Sequence, residues 1–126
     1  MFSNVLLVGV GGFFGSITRY FAYLWVGARF PAAFPLGTLL INISGCFVIG
    51  LVGVLLERAS PDHSSIALLA SVGFLGAYTT FSAFGFETLS LMQNGRPAAA
   101  LVNVLANVLL GLIAVWAGRS IVLVLG

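Results

Sequence analysis

The chain has 126 residues, of which 60% are hydrophobic, and its mean hydropathy is +1.17. A soluble domain of this size could not bury so much apolar surface, so we expect an integral membrane protein. Five Arg, no Lys and three acidic residues leave a net charge of +2, which is too small for a nucleic-acid-binding surface. Once the apolar segments are assigned to a bilayer, no length remains for a soluble enzyme domain.

Hydropathy predicts four membrane spans, each long enough for a helix to cross the bilayer. They fall at about residues 2–26, 36–56, 65–92 and 97–118. The first span has neither a preceding basic segment nor a small-residue cleavage site, so we expect it to be retained. The lone His63 is expected to be a solvated loop residue. The predicted fold is therefore an all-α, four-span membrane domain.

In the first span, Arg19 is the charged residue and lies toward the far end. Its long side chain either snorkels to the interface or lines an aqueous vestibule that attracts anions. Gly11 and Gly15 stand four residues apart and form a small-residue face, which favours close packing of another helix.

Amide side chains mark the second and fourth spans. In the second span, Asn42 shares one face with Thr38 and Gly45, and in the fourth span Asn103 and Asn107 share another. An amide in hydrocarbon must be paired or wetted. Two roles for Asn42 stay open: an interhelical hydrogen bond, or an NH₂ donor that faces a pore. The amides of the fourth span should face protein or water rather than lipid.

The third span contains the least regular stretch of the chain. Two glycines, Gly73 and Gly76, are followed by Thr79 and Thr80, and both residue types weaken a helix. A break at bilayer depth survives only where it is buried in protein or lines a cavity, and broken helices often bind ions. The alternative is a glycine-kinked helix that packs normally.

Beyond this weak point, the aromatic residues have helical spacing. If the helix resumes there, Phe81, Phe84 and Glu87 share one face because they stand three residues apart. The two phenylalanines then either pack against lipid and core or line a pathway.

The arginines give no clear membrane orientation. Four spans place Arg58 and Arg119 on one side and Arg29 and Arg96 on the other, with Arg19 added if it reaches that interface. The positive-inside rule therefore favours neither direction, and the chain is able to insert both ways. Two copies in opposite orientation could form an antiparallel dimer whose broken spans meet on the two-fold axis.

Three motifs occur in order along the chain: GGFFGSITRY at 11–20, GTLLINISG at 37–45 and GFLGAYTTFSAF at 73–84. Together with the length, the span count and the weak charge bias, they closely resemble the bacterial fluoride channel family, called Fluc or CrcB. The resemblance covers essentially the whole chain. The chain departs from the family pattern at Ala77, where a glycine is common, and at Asn103 and Asn107, where Tyr or Ser is frequent.

The resemblance implies a fluoride-selective channel that exports fluoride passively across the bacterial inner membrane and so limits its toxicity. It implies a dual-topology antiparallel homodimer with two pores. A structural sodium ion at the dimer centre would be held by the backbone carbonyls of Gly76 and Thr79. The same resemblance assigns the pore to Phe81 and Phe84, the pore amide to Asn42, and the vestibule to Arg19. Glu87 matches an acidic position that often follows the phenylalanine pair.

The chemistry of the residues agrees with this assignment. Because fluoride is small and strongly hydrated, its replacement ligands must donate hydrogen bonds, as the Asn42 amide and the Thr80 and Ser82 hydroxyls can. Phenyl rings carry a positive edge that contacts an anion without trapping it, and weak serial sites suit conduction. Asn107, in the fourth span, is included in the same pathway.

Three other functions fit the sequence less well than a channel. A dual-topology multidrug exporter of the four-span type would carry a mid-span carboxylate, typically in the first span, where this chain has no Asp or Glu. A non-transporting assembly subunit is compatible with the glycine faces, but a broken helix beside polar stripes favours a pathway. An enzyme is not expected, because the sequence shows no nucleophile–base pair or metal-ligand cluster.

Overall fold

The computed structural model describes residues 2–30, 33–58 and 64–125, so His63 lies outside the described residues. All regular structure in these ranges is helical. In chain order the elements are α1 (Phe2–Arg29), α2 (Leu36–Arg58), α3 (Ser64–Ala67), a π-helix (Leu68–Leu75), α4 (Gly76–Tyr78), α5 (Phe81–Gln93) and α6 (Pro97–Leu125).

Within the described ranges, four helical segments are long and apolar enough to cross a membrane. Three are the single helices α1, α2 and α6, and the fourth is the composite third span, Ser65–Gln93. The third span is interrupted between α4 and α5, so the predicted all-α membrane fold with a broken third helix is confirmed.

The turn between the third and fourth spans follows from local sequence. Gly95 adopts a φ of +70°, the left-handed conformation that glycine enters without a Cβ penalty. The amide of Arg96 donates to the carbonyl of Leu91, and that of Gly95 to Met92, which is the Schellman pattern that closes a helix. Pro97 then occupies the first helical position of α6, where its missing N–H is not needed.

Two hydrogen-bonded contacts tie the ends of the helices together. At one end, the Arg96 guanidinium donates to the carbonyl of Ala33 at 2.6 Å, which joins the first and third loops. At the other end, Arg119 on α6 forms a two-point ion pair with Glu57 on α2, with both N–O distances 2.9 Å. The bundle thus alternates in direction. Helix α6 continues to Leu125, beyond the predicted end of the fourth span at residue 118.

Glycines set the separation of the helices. The α-carbon of Gly11 lies against the backbone of the π-helix, where an added Cβ would overlap the carbonyl oxygen of Leu69. Gly50 on α2 lies against the carbonyl of Val115 on α6 in the same way. Dispersion contacts and close backbone approach, rather than apolar burial, hold helices together in lipid. The chain therefore forms two closely packed pairs, α1 with the π-helix and α2 with α6.

Candidate functional site

The third span breaks at two adjacent threonines. Thr79 and Thr80 are both extended, with φ/ψ of −76°/159° and −150°/114°. Helix α5 begins at Phe81, and Thr80 is its N-cap: the Thr80 Oγ1 accepts from the backbone N–H of Ala83 at 3.2 Å. A threonine whose hydroxyl accepts from the backbone N–H three residues later is a normal helix start, so this part of the break is encoded locally.

The glycines before the break remain helical. Gly73 lies inside the π-helix, and Gly76 has helical φ/ψ of −61° and −33°. Gly73 serves packing instead, since a Cβ there would lie 2.7 Å from the carbonyl oxygen of Val8 and 3.0 Å from the Cα of Gly11. The helix is therefore interrupted three residues after Gly76, at the threonine pair, rather than at the glycines.

The break frees backbone carbonyls, among them those of Gly76 and Thr79. The N–H of Thr80 donates to Asn42 Oδ1 rather than to the carbonyl of Gly76, its partner in a continuous α-helix. The N–H of Ala83 likewise goes to a side chain rather than to the carbonyl of Thr79. The Thr79 carbonyl instead accepts from the Arg19 guanidinium at 3.2 Å. Arg19 therefore lies beside the break.

Asn42 spans the break with its side-chain amide. Its Oδ1 accepts from the Thr80 N–H at 2.9 Å, and its Nδ2 donates to the Thr80 carbonyl at 3.1 Å. The second Nδ2 contact is to Asn107 Oδ1 at 3.0 Å. Both backbone polar groups of Thr80 are thus satisfied by a neighbouring helix, which is what hydrocarbon requires of an irregular segment. Asn42 therefore makes the interhelical hydrogen bond, and the same side chain also lines the cavity at the break.

A cavity of about 430 Å³ lies at the break. It brings together most of the predicted pathway residues with Gly76, Thr79 and several apolar side chains. The predicted residues that line it are Asn42, Thr80, Phe81, Phe84 and Asn107. Ser82 reaches this group through its hydroxyl, which lies 3.3 Å from Thr80 Oγ1.

The two phenylalanines occupy different environments. Their rings form a tilted pair with centroids 5.4 Å apart and an interplanar angle of 54°. Phe84 is buried, with 9% of its surface exposed, whereas Phe81 is 81% exposed on the outside of the chain. Since helical spacing placed both on one face, their difference arises from what covers that face: Phe84 packs within this chain and Phe81 does not.

Ser71 is a lining residue that the sequence interpretation missed. It belongs to the π-helix, lines the same cavity, and its Oγ is buried without a hydrogen-bond partner among the described residues. Its spacing of eight residues from Thr79 places both on one helical face, a signal that was present in the sequence.

A second polar group lies further along α5. Thr38 is fully buried and donates to Glu87 Oε1 at 2.7 Å, and the hydroxyl of Tyr23 lies 2.9 Å from Thr38 Oγ1. Because the Thr38 hydrogen goes to Glu87, the Tyr23 hydroxyl donates to Thr38. The other Glu87 oxygen is buried and has no partner among the described residues. Tyr23 is a further residue that the sequence interpretation missed.

Comparison with known proteins decides the family. The family model described as "CrcB-like protein, Camphor Resistance (CrcB)" matches residues 6–119. The chain belongs to the CrcB-like family. The resemblance inferred from its three motifs is confirmed.

Several relatives are similar to this chain over nearly their whole length. A protein of Solibacter usitatus named fluoride-specific ion channel FluC is 45% identical over 113 residues, covering 90% of this chain and 93% of the relative. A protein of the same name from Rhizobium etli is 43% identical over 118 residues, with 94% of each chain covered. A third, from Ruminiclostridium cellulolyticum, is 40% identical over 118 residues, covering 94% of this chain and 91% of the relative.

Proposed function

We propose that this protein is a fluoride-selective channel that lets fluoride leave the cell passively. It is a multi-pass protein of the bacterial inner membrane. The observation that carries the proposal is the full-length similarity to relatives named fluoride-specific ion channels, which includes the segment that forms the break. The four-span exporter is not favoured, because its expected first-span carboxylate is missing.

The donors at the break suit a small, strongly hydrated anion. Both hydrogens of the Asn42 amide are engaged by protein acceptors, so the hydroxyls are the donors most readily available to fluoride. Thr80 and Ser82 hydroxyls lie 3.3 Å apart, and the Ser71 hydroxyl is without a partner among the described residues. A hydroxyl reorients at little cost, so it can exchange a weak protein contact for fluoride and then return.

The phenylalanine pair supplies the second kind of contact. A phenyl ring presents a positive edge to an anion. Phe81 and Phe84 are adjacent and mutually tilted, so their edges can face a passing ion in succession. Neither ring has a charge that would hold fluoride, which agrees with rapid release.

We further propose an antiparallel homodimer. The exposed ring of Phe81 belongs to the cavity lining yet is left uncovered by its own chain, and a second copy would cover it. The nearly even distribution of arginine between the two ends permits insertion in both directions.

A central sodium ion is compatible with the break. Carbonyl oxygens are the ligands that hard cations prefer, and the Gly76 and Thr79 carbonyls have lost their helical partners. Two copies related by a two-fold axis would bring two such pairs of carbonyls together around a cation. The bound ion would hold the two breaks together. The Arg19 contact to the Thr79 carbonyl opposes a cation at that oxygen, so the sodium site requires this side chain to share or leave it.

Fluoride efflux from liposomes that contain the purified protein tests the proposal, with chloride efflux as the selectivity control. Wild type should release fluoride and retain chloride. Phe81→Ile and Phe84→Ile should assemble normally but slow fluoride release by about tenfold or more, since about 1.4 kcal/mol at the barrier is a factor of ten. Equal release from both variants and wild type would assign the rings to packing. An absence of fluoride release from wild type would reject the channel.

Lysine placement tests the dimer orientation. Two or three Lys added to one loop should force one orientation and abolish efflux, and co-expression with an oppositely biased copy should restore it. A biased chain that works alone, with every copy shown to be inserted the same way, contradicts the antiparallel dimer. Efflux that persists in sodium-free medium contradicts the structural sodium ion.

A further inference from the structure

A row of side-chain amides runs from the break into the bundle. From Asn42 the row continues to Asn107 and then to Asn103, both on α6. Asn107 Nδ2 lies 3.1 Å from Asn103 Oδ1 and 3.0 Å from its carbonyl, and Asn103 Nδ2 donates to Thr88 Oγ1 at 2.9 Å. The Thr88 hydroxyl donates in turn to the carbonyl of Phe84 at 2.7 Å.

Both ends of this amide row determine its direction. A backbone N–H only donates, so Asn42 must turn its oxygen toward Thr80 and its NH₂ toward Asn107. Asn107 must then offer its oxygen to Asn42 and its NH₂ to Asn103. Reversing any one amide would bring two NH₂ groups or two oxygens face to face. The row therefore has one satisfied arrangement, and its members polarise one another in a single direction.

Asn103 belongs to the row without lining the cavity at the break. It is fully buried, with 0% of its surface exposed, and neither it nor Thr88 lines the cavity at the break. Its oxygen and carbonyl take the two hydrogens of Asn107, which leaves the Asn107 oxygen directed at Asn42. An apolar residue at this position would leave one Asn107 hydrogen without its acceptor, so only the backbone carbonyl of residue 103 would still hold the Asn107 amide in this orientation.

We propose that Asn103 is a positioning residue: through Asn107 it holds the Asn42 amide across the break, and thereby sets the Thr80 backbone and hydroxyl at the pathway. This inference rests on the proposed channel function. The simpler role, an interhelical bond that only ties α5 to α6, makes a different prediction. In that case, loss of the Asn103–Thr88 bond would lower efflux equally whether Asn103 or Thr88 is substituted.

Two variants separate these roles. Asn103→Leu keeps the number of side-chain heavy atoms but removes the side-chain acceptor of Asn107, whereas Thr88→Val breaks the same α5–α6 bond and leaves that acceptor in place. Asn103→Leu should lower fluoride efflux by about tenfold or more, since misplacing one buried hydrogen-bonding group is worth at least that factor. Thr88→Val should stay within about threefold of wild type, although both should lower the thermal unfolding midpoint.

Asn103→Asp provides a conservative rescue. Whether or not it is protonated, one carboxyl oxygen still accepts from Asn107, so efflux should recover to within about threefold of wild type. Equal efflux losses in Asn103→Leu and Thr88→Val would overturn the proposal. Wild-type efflux in Asn103→Leu would overturn it as well. If Asn103→Leu fails to assemble, a tenfold loss of efflux in correctly assembled Asn103→Asp would also overturn the proposal.

Hydrogen exchange at the Thr80 N–H gives a readout that does not depend on transport. Protection of this amide reports its bond to Asn42 directly, so it should fall in Asn103→Leu and persist in Thr88→Val. If wild type carries no fluoride but this pattern of protection holds, the channel assignment fails while the positioning of Asn42 stands. Unchanged protection in Asn103→Leu would reject the positioning role, whatever the protein transports.

Discussion

The contact between α2 and the break gives a sharp test of the structure. Gly45 lies directly against Thr79, and a Cβ at Gly45 would overlap the Thr79 Cγ2 methyl and approach Tyr78 Cδ1 to 3.4 Å. The methyl cannot easily turn away, because Thr79 is β-branched and its hydroxyl donates to the Leu75 carbonyl at 3.0 Å. In Gly45→Ala the backbone of the break must therefore move.

The size of this effect follows from the kind of contact. Inserting a methyl into a filled space costs about 1–3 kcal/mol, so Gly45→Ala should lower stability by this amount and slow fluoride efflux. Thr79→Ser removes the opposing methyl and keeps the hydroxyl, so it should cost less than about 1 kcal/mol alone. The double variant should recover most of the loss, with a coupling energy of about 1–2 kcal/mol.

Thermal unfolding in detergent and liposome efflux measure the two consequences. Gly53→Ala is the matched control on the same helix, since nothing lies within 4 Å of a Cβ there. It should leave stability unchanged or raise it, because alanine favours a helix by up to about 1 kcal/mol. If the double variant is no more stable than Gly45→Ala alone, Gly45 and Thr79 are not in the contact described and the reasoning fails.

Three further outcomes are expected. Gly50→Ala should destabilise the bundle by at least about 1–3 kcal/mol in thermal unfolding, because the new methyl meets the rigid carbonyl of Val115 rather than a movable side chain. Arg19→Gln should slow fluoride efflux, and more strongly at low ionic strength, where a charge beside the break attracts anions most. Arg119→Gln should change the unfolding midpoint little, since its ion pair with Glu57 is solvent-exposed; a large shift would show that this pair is structurally important.

Local sequence was sufficient for much of the fold. Apolar runs of membrane-spanning length predict the four spans wherever they occur, because the bilayer acts on each helix separately. The turn at Gly95 followed by Pro97 is also a local feature, as is the N-cap at Thr80. Each depends on interactions within a few residues, so each was readable without knowledge of neighbouring helices.

The site depended on how the helices are placed. Sequence left Asn42 with two possible roles, and only the position of α2 beside the break shows its amide bonded to both polar groups of Thr80. The same is true of Arg19, whose contact joins residues sixty positions apart. The sequence identified both side chains as unusual in a membrane but could not supply their partners.

The break itself shows both contributions. Composition predicted a weak segment, but Gly73 and Gly76 stayed helical and the extended residues are Thr79 and Thr80. Glycine disfavours a helix by only about 1 kcal/mol, and the missing side chain lets Gly73 approach the backbone of α1 while it stays helical. The interruption instead occurs where Asn42 from another helix can hydrogen-bond to the backbone N–H and carbonyl of Thr80. Local chemistry therefore determined which segment was weak, whereas the location of the break within it was decided by a hydrogen-bonding partner supplied by the tertiary structure.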